Sequence, residues 1–337
     1  MLRTFCAISL ATLLYRVSAE NIRSRFHDWV TQFNIDFLNT DHQETTYIKW
    51  TDNDRYIENV NAQNLTYALA HNHFSGMDID DFRDYIHSNG FYTPHTKPVG
   101  LRSRMHNPRS PPASIDWVAN GAVTPVKNQG QCGSCWSFST TGALEGAYYI
   151  SHGTLESFSE QQLVDCDNLK NGGKDHGCNG GLMDNAFDWI GGNQGLCSES
   201  DYPYTSGTTT TAGSCQKQCS NVMSSGVIDY VDVSPSSDNE MMQAVAHQPV
   251  SVAIEADQKD FQLYSSGVFS GSCGTNLDHG VLVVGYGEMD GDDFYKVKNS
   301  WGTTWGSDGY IYLGRGDQYN NGDGQCGVLL QASYPIV

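Results

Sequence analysis

Residues 129–137 read QGQCGSCWS, and the chemistry assigned to its two cysteines decides what kind of protein this is. Cys132 and Cys135 stand at the spacing of a redox dithiol, of half a zinc site, or of one disulfide cysteine beside a nucleophile. A thioredoxin-like dithiol requires a βαβ unit around it, and a zinc site requires four ligands in closed geometry. Here the motif instead opens WSFSTTGALEGAYYI (136–150), which is apolar all round and predicts a buried helix with Ser134 and Cys135 at its start. A helix N-terminus carries positive field, and a thiol attacks carbonyls only as thiolate. That favours Cys135 as nucleophile.

The 337-residue chain, 39% hydrophobic, has material for a packed core and one or two domains. Its formal charge of -19 excludes nucleic acid and anionic membranes as attractive partners. The start, MLRTFCAISLATLLYRVSAE, places Arg3 before an apolar run from Phe5 to Tyr15 and small residues at Ser18 and Ala19. This predicts a secretory signal over residues 1–19, because the run is shorter than the roughly 20 residues that cross a bilayer. An oxidising compartment follows, where paired cysteines are disulfides. Of the ten cysteines, Cys6 leaves with the signal, and an odd number remains. One thiol should therefore be unpaired.

Residues 20–112 contain no cysteine and close on the proline-rich HNPRSPPAS (106–114), which suits a linker or a processing site. Within them WTDNDRYIENVN (50–61) spaces Trp50, Ile57 and Val60 along one helical face. Asn64 is the sole glycosylation acceptor. A second helix is expected near Leu182 to Ile190. Beyond about Ser225, VSVAIEA, GVLVVGYG, FYKVKNSW and GYIYLGRG read as strands. GTTTTAG (207–213) reads as a polar loop without chemistry. The part after residue 112 thus looks half helical and half β, an α+β protein.

A nucleophilic thiol needs an imidazole and a group to orient it. His279, in NLDHGVLVVGYG, heads an apolar strand, and Asn299, in KNSWGTTWG, ends the next one. A neutral amide there can accept from one imidazole nitrogen and leave the other facing sulfur.

QGQCGSCWS, LDHGVLVVGYG and KNSWG together resemble the three signature blocks of papain-like cysteine peptidases of the cathepsin L branch, over nearly the whole chain after the signal. The resemblance implies a two-domain papain-like fold, with a helical left domain (about 113–225) and a β-barrel-like right domain (about 226–337), preceded by a helical inhibitory propeptide over 20–112. Cys135 would be the nucleophile, His279 the proton carrier, Asn299 its orienting partner and Gln129 an oxyanion donor. Trp301 would shield the His279–Asn299 hydrogen bond from water. Cys132 would pair with Cys178, Cys166 with Cys215, and Cys273 with Cys326. Cys197 and Cys219 are left to pair with each other. No metal or organic cofactor is implied.

By the same resemblance Leu182, Met183, Ala253, Leu277 and Gly280 wall the pocket for the side chain two positions before the scissile bond, with Gln331 at its floor and Gly181 pairing with substrate backbone. Apolar walls favour Leu, Val or Phe, worth roughly 1.5 to 3 kcal/mol on burial. A neutral Gln331 gives Arg no ion pair. CDNLKNGGKDHGC (166–178) is too short for the occluding loop that makes exopeptidases, so an endopeptidase is expected. Partners would be peptide and protein substrates, the chain's own propeptide as inhibitor and cystatin-type inhibitors, on a monomer located in a lysosome or vacuole or outside the cell. Trp50, Asn53, Ile57 and Asn61 match the second half of the propeptide's helical motif, but His42 and Thr46 replace its Glu and Arg. ALAHNHFSGMD (68–78) keeps Asn72 and Phe74 and puts Gly76 where Asp is usual. Residues 113–337 hold 26 acidic against 8 basic side chains, and residues 20–112 hold 12 against 9. The acidic excess belongs to the catalytic part and suits an acidic compartment.

Overall fold

Asn39 opens the longest helix by accepting a hydrogen bond on its side chain from the His42 N–H at 2.8 Å, a standard N-cap. The computed structural model describes residues 21–88, 110–216, 219, 222–223 and 227–337, so the expected signal at 1–19 and residues 106–109 of the proline-rich segment lie outside the described residues. Residues 21–32 form α1, Thr40–Asn61 form α2 and Ile79–Ser88 form α3. Phe26 and Trp29 of α1 bury against Trp50 of α2. The helical spacing of Trp50, Ile57 and Val60 thus serves one buried face, as the sequence pattern predicts.

Asparagines of this region act as connectors, Asn53 and Asn72 from buried positions. Asn53 donates to the carbonyls of Ser75 (2.9 Å) and Met77 (2.7 Å), and Asn61 exchanges two hydrogen bonds with the Leu69 backbone. Asn72 donates to the Gln262 carbonyl at 2.8 Å, across to the β-rich part of the chain. Tyr67–Leu69 (β1) extends the main sheet by pairing antiparallel with a later strand, Tyr67 opposite Gly267. Gly267 has φ +80°, and a Cβ there would stand 2.3 Å from the Thr66 carbonyl, so the close approach of β1 requires glycine.

After residue 110 the chain contributes Ile115–Asp116 (β2) to the sheet, then Cys135–His152 (α4), Glu160–Cys166 (α5), Met183–Asn193 (α6) and Ser206–Thr209 (α7). Leu196–Cys197 (β3) and Val222–Met223 (β4) make a small pair of their own. The remaining elements are β5 (Asp229–Asp232), α8 (Asp238–His247), β6 (Val250–Ile254), α9 (Lys259–Leu263), β7 (Tyr264–Phe269), β8 (His279–Met289), β9 (Asp292–Lys298), β10 (Tyr310–Gly314) and β11 (Ala332–Ile336). The sheet runs β1-β7-β10-β9-β8-β6-β11-β5, with β2 also on β8; β7 and β10 are parallel and the other pairs antiparallel. A helical half and a β-rich half are present, but β2 places residues 115–116 in the sheet. The chain therefore crosses into the β-rich half before it builds the helices.

α4 is buried over most of its length because it lies between the helices and the sheet. A Cβ on Gly142 would meet Leu282 at 2.7 Å and one on Gly146 would meet Pro249 at 2.5 Å. Ser139 donates to the Val281 carbonyl at 2.7 Å, and Ser251 donates to the Ser139 carbonyl at 2.9 Å. Small residues let the helix approach; hydroxyls tie it to the strands. GTTTTAG has more structure than its composition suggests: its first residues belong to α7, and the Gly207 carbonyl accepts from the Gln131 N–H at 3.0 Å. No described helix is long and apolar enough to cross a membrane.

Candidate active site

Cys135 is the first residue of α4 and the free cysteine among the described residues. The others form Cys132–Cys178, Cys166–Cys215, Cys197–Cys219 and Cys273–Cys326. The first of these bridges, with a hydrogen bond from Gly133 N–H to the Cys178 carbonyl at 3.0 Å, pins the turn before Cys135. Ser134 does not cap α4 with its side chain; its hydroxyl meets the Tyr204 hydroxyl at 2.7 Å. The positive end of the helix is left facing the sulfur.

His279 begins β8 and Asn299 follows the last residue of β9, its antiparallel neighbour, so both sit at one end of the sheet. His279 Nε2 lies 2.8 Å from Asn299 Oδ1. The Asn299 oxygen can only accept, so it fixes the proton on Nε2 and leaves Nδ1 available. The Trp301 indole stacks on the imidazole with centroids 4.7 Å apart. A Cβ on Gly280 would stand 3.3 Å from the Trp136 nitrogen and 3.4 Å from the Cys135 carbonyl carbon, so the head of β8 rests directly on the head of α4. That contact brings the thiol and the imidazole strand into one group.

Gln129 is buried. Its amide oxygen accepts from the Ser300 hydroxyl at 2.6 Å, and its Nε2 donates to the Cys132 carbonyl at 3.0 Å. One amide proton remains free, and turning the amide over would set its oxygen against the Cys132 carbonyl. Ser300 and Tyr204, which also donates to the Gln129 carbonyl at 2.8 Å, are members of the site that the sequence reading missed. Their only signal was adjacency, Ser300 standing between Asn299 and Trp301.

Burial dominates the electrostatics. It pushes the Cys135 thiol up to about 12, against hydrogen bonds from the Gly280 and Trp136 amides, with the Asp278 charge adding to the rise. It pulls the His279 imidazole down to about 4, against the hydrogen bond to Asn299. Both shifts favour the neutral forms of the two groups. Phe74, Phe82 and Tyr85 of the amino-terminal region pack edge-on around Trp301 at 5.2, 5.8 and 6.4 Å. The Tyr85 hydroxyl donates to the Gly130 carbonyl at 2.9 Å.

Beneath the site, Lys127 pairs with Glu145 (2.9 Å) and Glu160 (2.6 Å), and Lys298 donates to Thr124 at 3.0 Å. Burial lowers Lys298 to about 8. These charges come from four distant segments and no local pattern announces them. Of the expected pocket residues, Met183, Ala253 and Leu277 pack into one apolar cluster. Leu182 and Gly280 are buried beside it, and the carbonyl of half-buried Gln331 accepts from Ala253 N–H at 3.0 Å. Gly181 is wedged against the Trp136 indole. Asn64 is exposed on a left-handed turn, φ +53°. Among the described residues no group of three or more His, Cys, Asp or Glu side chains is arranged to hold a metal.

The papain family cysteine protease profile matches residues 111–336, and the cathepsin propeptide inhibitor domain profile matches residues 26–82. The chain is 46% identical to the probable cysteine protease RD21B of Arabidopsis thaliana over 85% of its own length but 59% of that protein's. It is 41% identical to the senescence-specific cysteine protease SAG39 of Oryza sativa subsp. japonica, over 93% of this chain and 89% of that one. Among solved structures, the proform of the ragweed pollen allergen Amb a 11, a cysteine protease, superposes with TM-score 0.83 at 36% identity, covering 94% of this chain and 86% of that one. A recombinant stem bromelain precursor gives 0.79 at 34% identity, covering 94% and 99%. The chain belongs to the papain family of cysteine proteases and is built as a zymogen, with a propeptide inhibitor domain ahead of the protease domain.

Proposed function

We propose that this endopeptidase works by acyl transfer through Cys135, His279, Asn299 and Gln129. Once the propeptide leaves and water re-enters the cleft, the desolvation that keeps thiol and imidazole neutral is relieved, and the proton moves from Cys135 to His279. The thiolate attacks the peptide carbonyl and the oxyanion takes hydrogen bonds from the free Gln129 amide proton and the Cys135 N–H. The imidazolium protonates the leaving amine, and water then releases the acyl-enzyme. Asn299 holds the ring, and the Trp301 indole keeps water from their hydrogen bond. The observation that carries this reading is the 2.8 Å contact of His279 with Asn299 under Trp301, on a strand whose head rests on Cys135.

The clustering of Met183, Ala253 and Leu277 supports a pocket for Leu, Val or Phe, with Leu182, Gly280 and Gln331 completing it and Gly181 pairing with substrate backbone. Residues 1–19 would direct the chain into the secretory pathway, toward a lysosome-like or vacuolar compartment or the exterior. Residues 20–112 would be removed to leave a monomeric enzyme of 113–337, open to cystatin-type inhibitors. Asn64 would carry a glycan. Treating the acid-processed protein with an irreversible thiol-directed epoxide tests the centre of the proposal. Labelling of Cys135 together with loss of cleavage of a Leu-containing peptide is expected; an unlabelled, inactive protein would make it a binding homologue instead.

A further inference from the structure

Asp167 and Asp175 stand outside the reacting group, yet both are buried, at 0% and 2% exposure, in the loop between Cys166 and Cys178. Asp175 Oδ1 accepts from the Leu182 N–H at 3.0 Å and from Asn185 Nδ2 at 2.9 Å. Asp167 Oδ1 accepts from the Lys174 N–H at 3.0 Å. The second oxygen of each carboxyl is buried and takes no donor from elsewhere among the described residues. Each carboxyl influences the titration of the other, so the partner left for these two oxygens is a hydrogen bond between them. Two ionised carboxylates have no donor between them, so that bond requires a proton on one of them. Lys174 is the nearby cation, but its ammonium turns to Asp188 at 3.3 Å and its contact with Asp167 is through the backbone.

The pair touches the cleft. A Cβ on Gly181 would stand 2.7 Å from the Asp175 carboxyl carbon on one side and 2.6 Å from the Trp136 indole on the other. Gly181 is thus clamped between Asp175 and the residue that follows Cys135. We propose that Asp167 and Asp175 are positioning residues for proteolysis, a buried acid–carboxylate pair that shares one proton and holds the Gly181–Leu182 edge where an extended substrate must hydrogen-bond. The inference rests on Gly181 pairing with substrate backbone.

Burial, with the Asp167 charge added, pushes Asp175 up to about 9, and burial pushes Asp167 up to about 6. One proton is therefore retained between those values. Above the higher one two carboxylates face each other in a dry site and the edge is driven apart. The ground-state and transition-state complexes use the edge alike, so the loss appears in KM rather than kcat.

The test is steady-state kinetics on the processed enzyme from pH 5.5 to 9.5, each sample normalised by epoxide titration of Cys135. The parent should show KM rising roughly tenfold above pH 9. Asp175→Asn and Asp167→Asn supply a permanent amide donor in place of the shared proton; each should keep KM within about twofold of the parent at pH 6 and abolish the alkaline rise. Asp175→Ala should raise KM about tenfold at every pH with kcat within about threefold. The parent-minus-variant infrared difference at pH 7 should show one protonated carboxyl lost in each Asn variant, with the bands of Asp278 and Glu199 cancelling, and it reads the proton without reference to activity. An alkaline rise that persists in Asp175→Asn, or a melting-temperature change in Asp175→Ala with KM unmoved, overturns the proposal. If Asp175→Ala does not fold, the Asn variants carry the test. Failure of Cys135 to label would count against the catalytic reading alone, since the infrared band still decides the pair.

Discussion

Thr46 and Gly76 touch: a Cβ on Gly76 would stand 2.7 Å from the Thr46 methyl and 3.0 Å from the Trp29 ring. These are two of the positions at which the propeptide departs from the motif it resembles, where Arg and Asp are usual. Their departures are matched. A small residue opposite a methyl closes sterically a gap that the usual pair would fill with charge, and the Thr46 hydroxyl is satisfied by the His42 carbonyl at 2.8 Å. Gly76→Asp alone should therefore weaken the zymogen, by about 1 to 3 kcal/mol from overpacking against Thr46 and Trp29, rather than improve it. Urea unfolding of the proform measures this; a variant as stable as the parent would contradict the steric account.

Asp260 ties the two parts of the zymogen together. Its carboxylate accepts from Tyr56 Oη at 2.5 Å and also from Tyr67 Oη, both propeptide residues, and burial with this carboxylate holds both phenols protonated. Hydrogen bonds to a charged group contribute about 1.5 to 3 kcal/mol each. Asp260→Ala should release the propeptide at a higher pH and speed self-processing by roughly tenfold or more, while leaving kcat/KM of the finished enzyme within about twofold. Processing followed by gel and peptide assay separates the two effects.

Acid should open the zymogen. Burial holds His279 and His73 at about 4, and it lowers His71 despite the Asp54 carboxylate 3.0 Å away, with Arg25 adding to the fall and Glu58 opposing it. A histidine whose value is depressed in the closed state binds fewer protons there than when exposed, so its contribution is present above about 6.5 and is lost as pH falls toward about 4. In the protease part, burial raises Asp278 and Glu199 to about 8, and the sign is reversed: their protonated forms favour the folded enzyme at low pH. Epoxide labelling of Cys135 in the uncut proform should accelerate between pH 6.5 and 4. A rate that instead increases only above neutrality would count against this coupling.

Replacing Gln129 tests the oxyanion role. Gln129→Ala removes one donor and should cost about 10²- to 10³-fold in kcat, on the order of 3 kcal/mol, with KM little changed. Ser300→Ala leaves the donor but frees the amide to turn, so its loss should be the smaller one. Equal losses in both variants would mean that Ser300 acts by another route.

The floor of the substrate pocket can be tested by charge. Gln331→Glu places a carboxylate at a half-buried position beside Ala253 and should raise the ratio of kcat/KM for Arg over Leu two positions before the cut by at least tenfold. An unchanged ratio would place that side chain outside the pocket.

The residues that carry chemistry were legible because chemistry restricts them to short local patterns. QGQCGSCWS combines a free thiol, a helix start and an amide within nine residues, and the odd cysteine count requires one unpaired thiol. Periodicity likewise gave the buried face of α2, since side-chain direction repeats along a helix whatever the partner, and apolar runs separated by glycine and aspartate turns gave the strands β6, β8, β9 and β10. Partners were another matter. That Ser300 orients Gln129, that Lys127 and Lys298 share a buried site with two glutamates, and that Gly181 is wedged against Trp136 depend on segments tens of residues apart. Protonation states were equally hidden, because desolvation is a property of what lies on top of a group. The sequence by itself supplied a thiol, an imidazole and an amide in their segments; the tertiary structure decided that burial favours the neutral thiol and imidazole, because desolvation comes from packing that no single segment encodes.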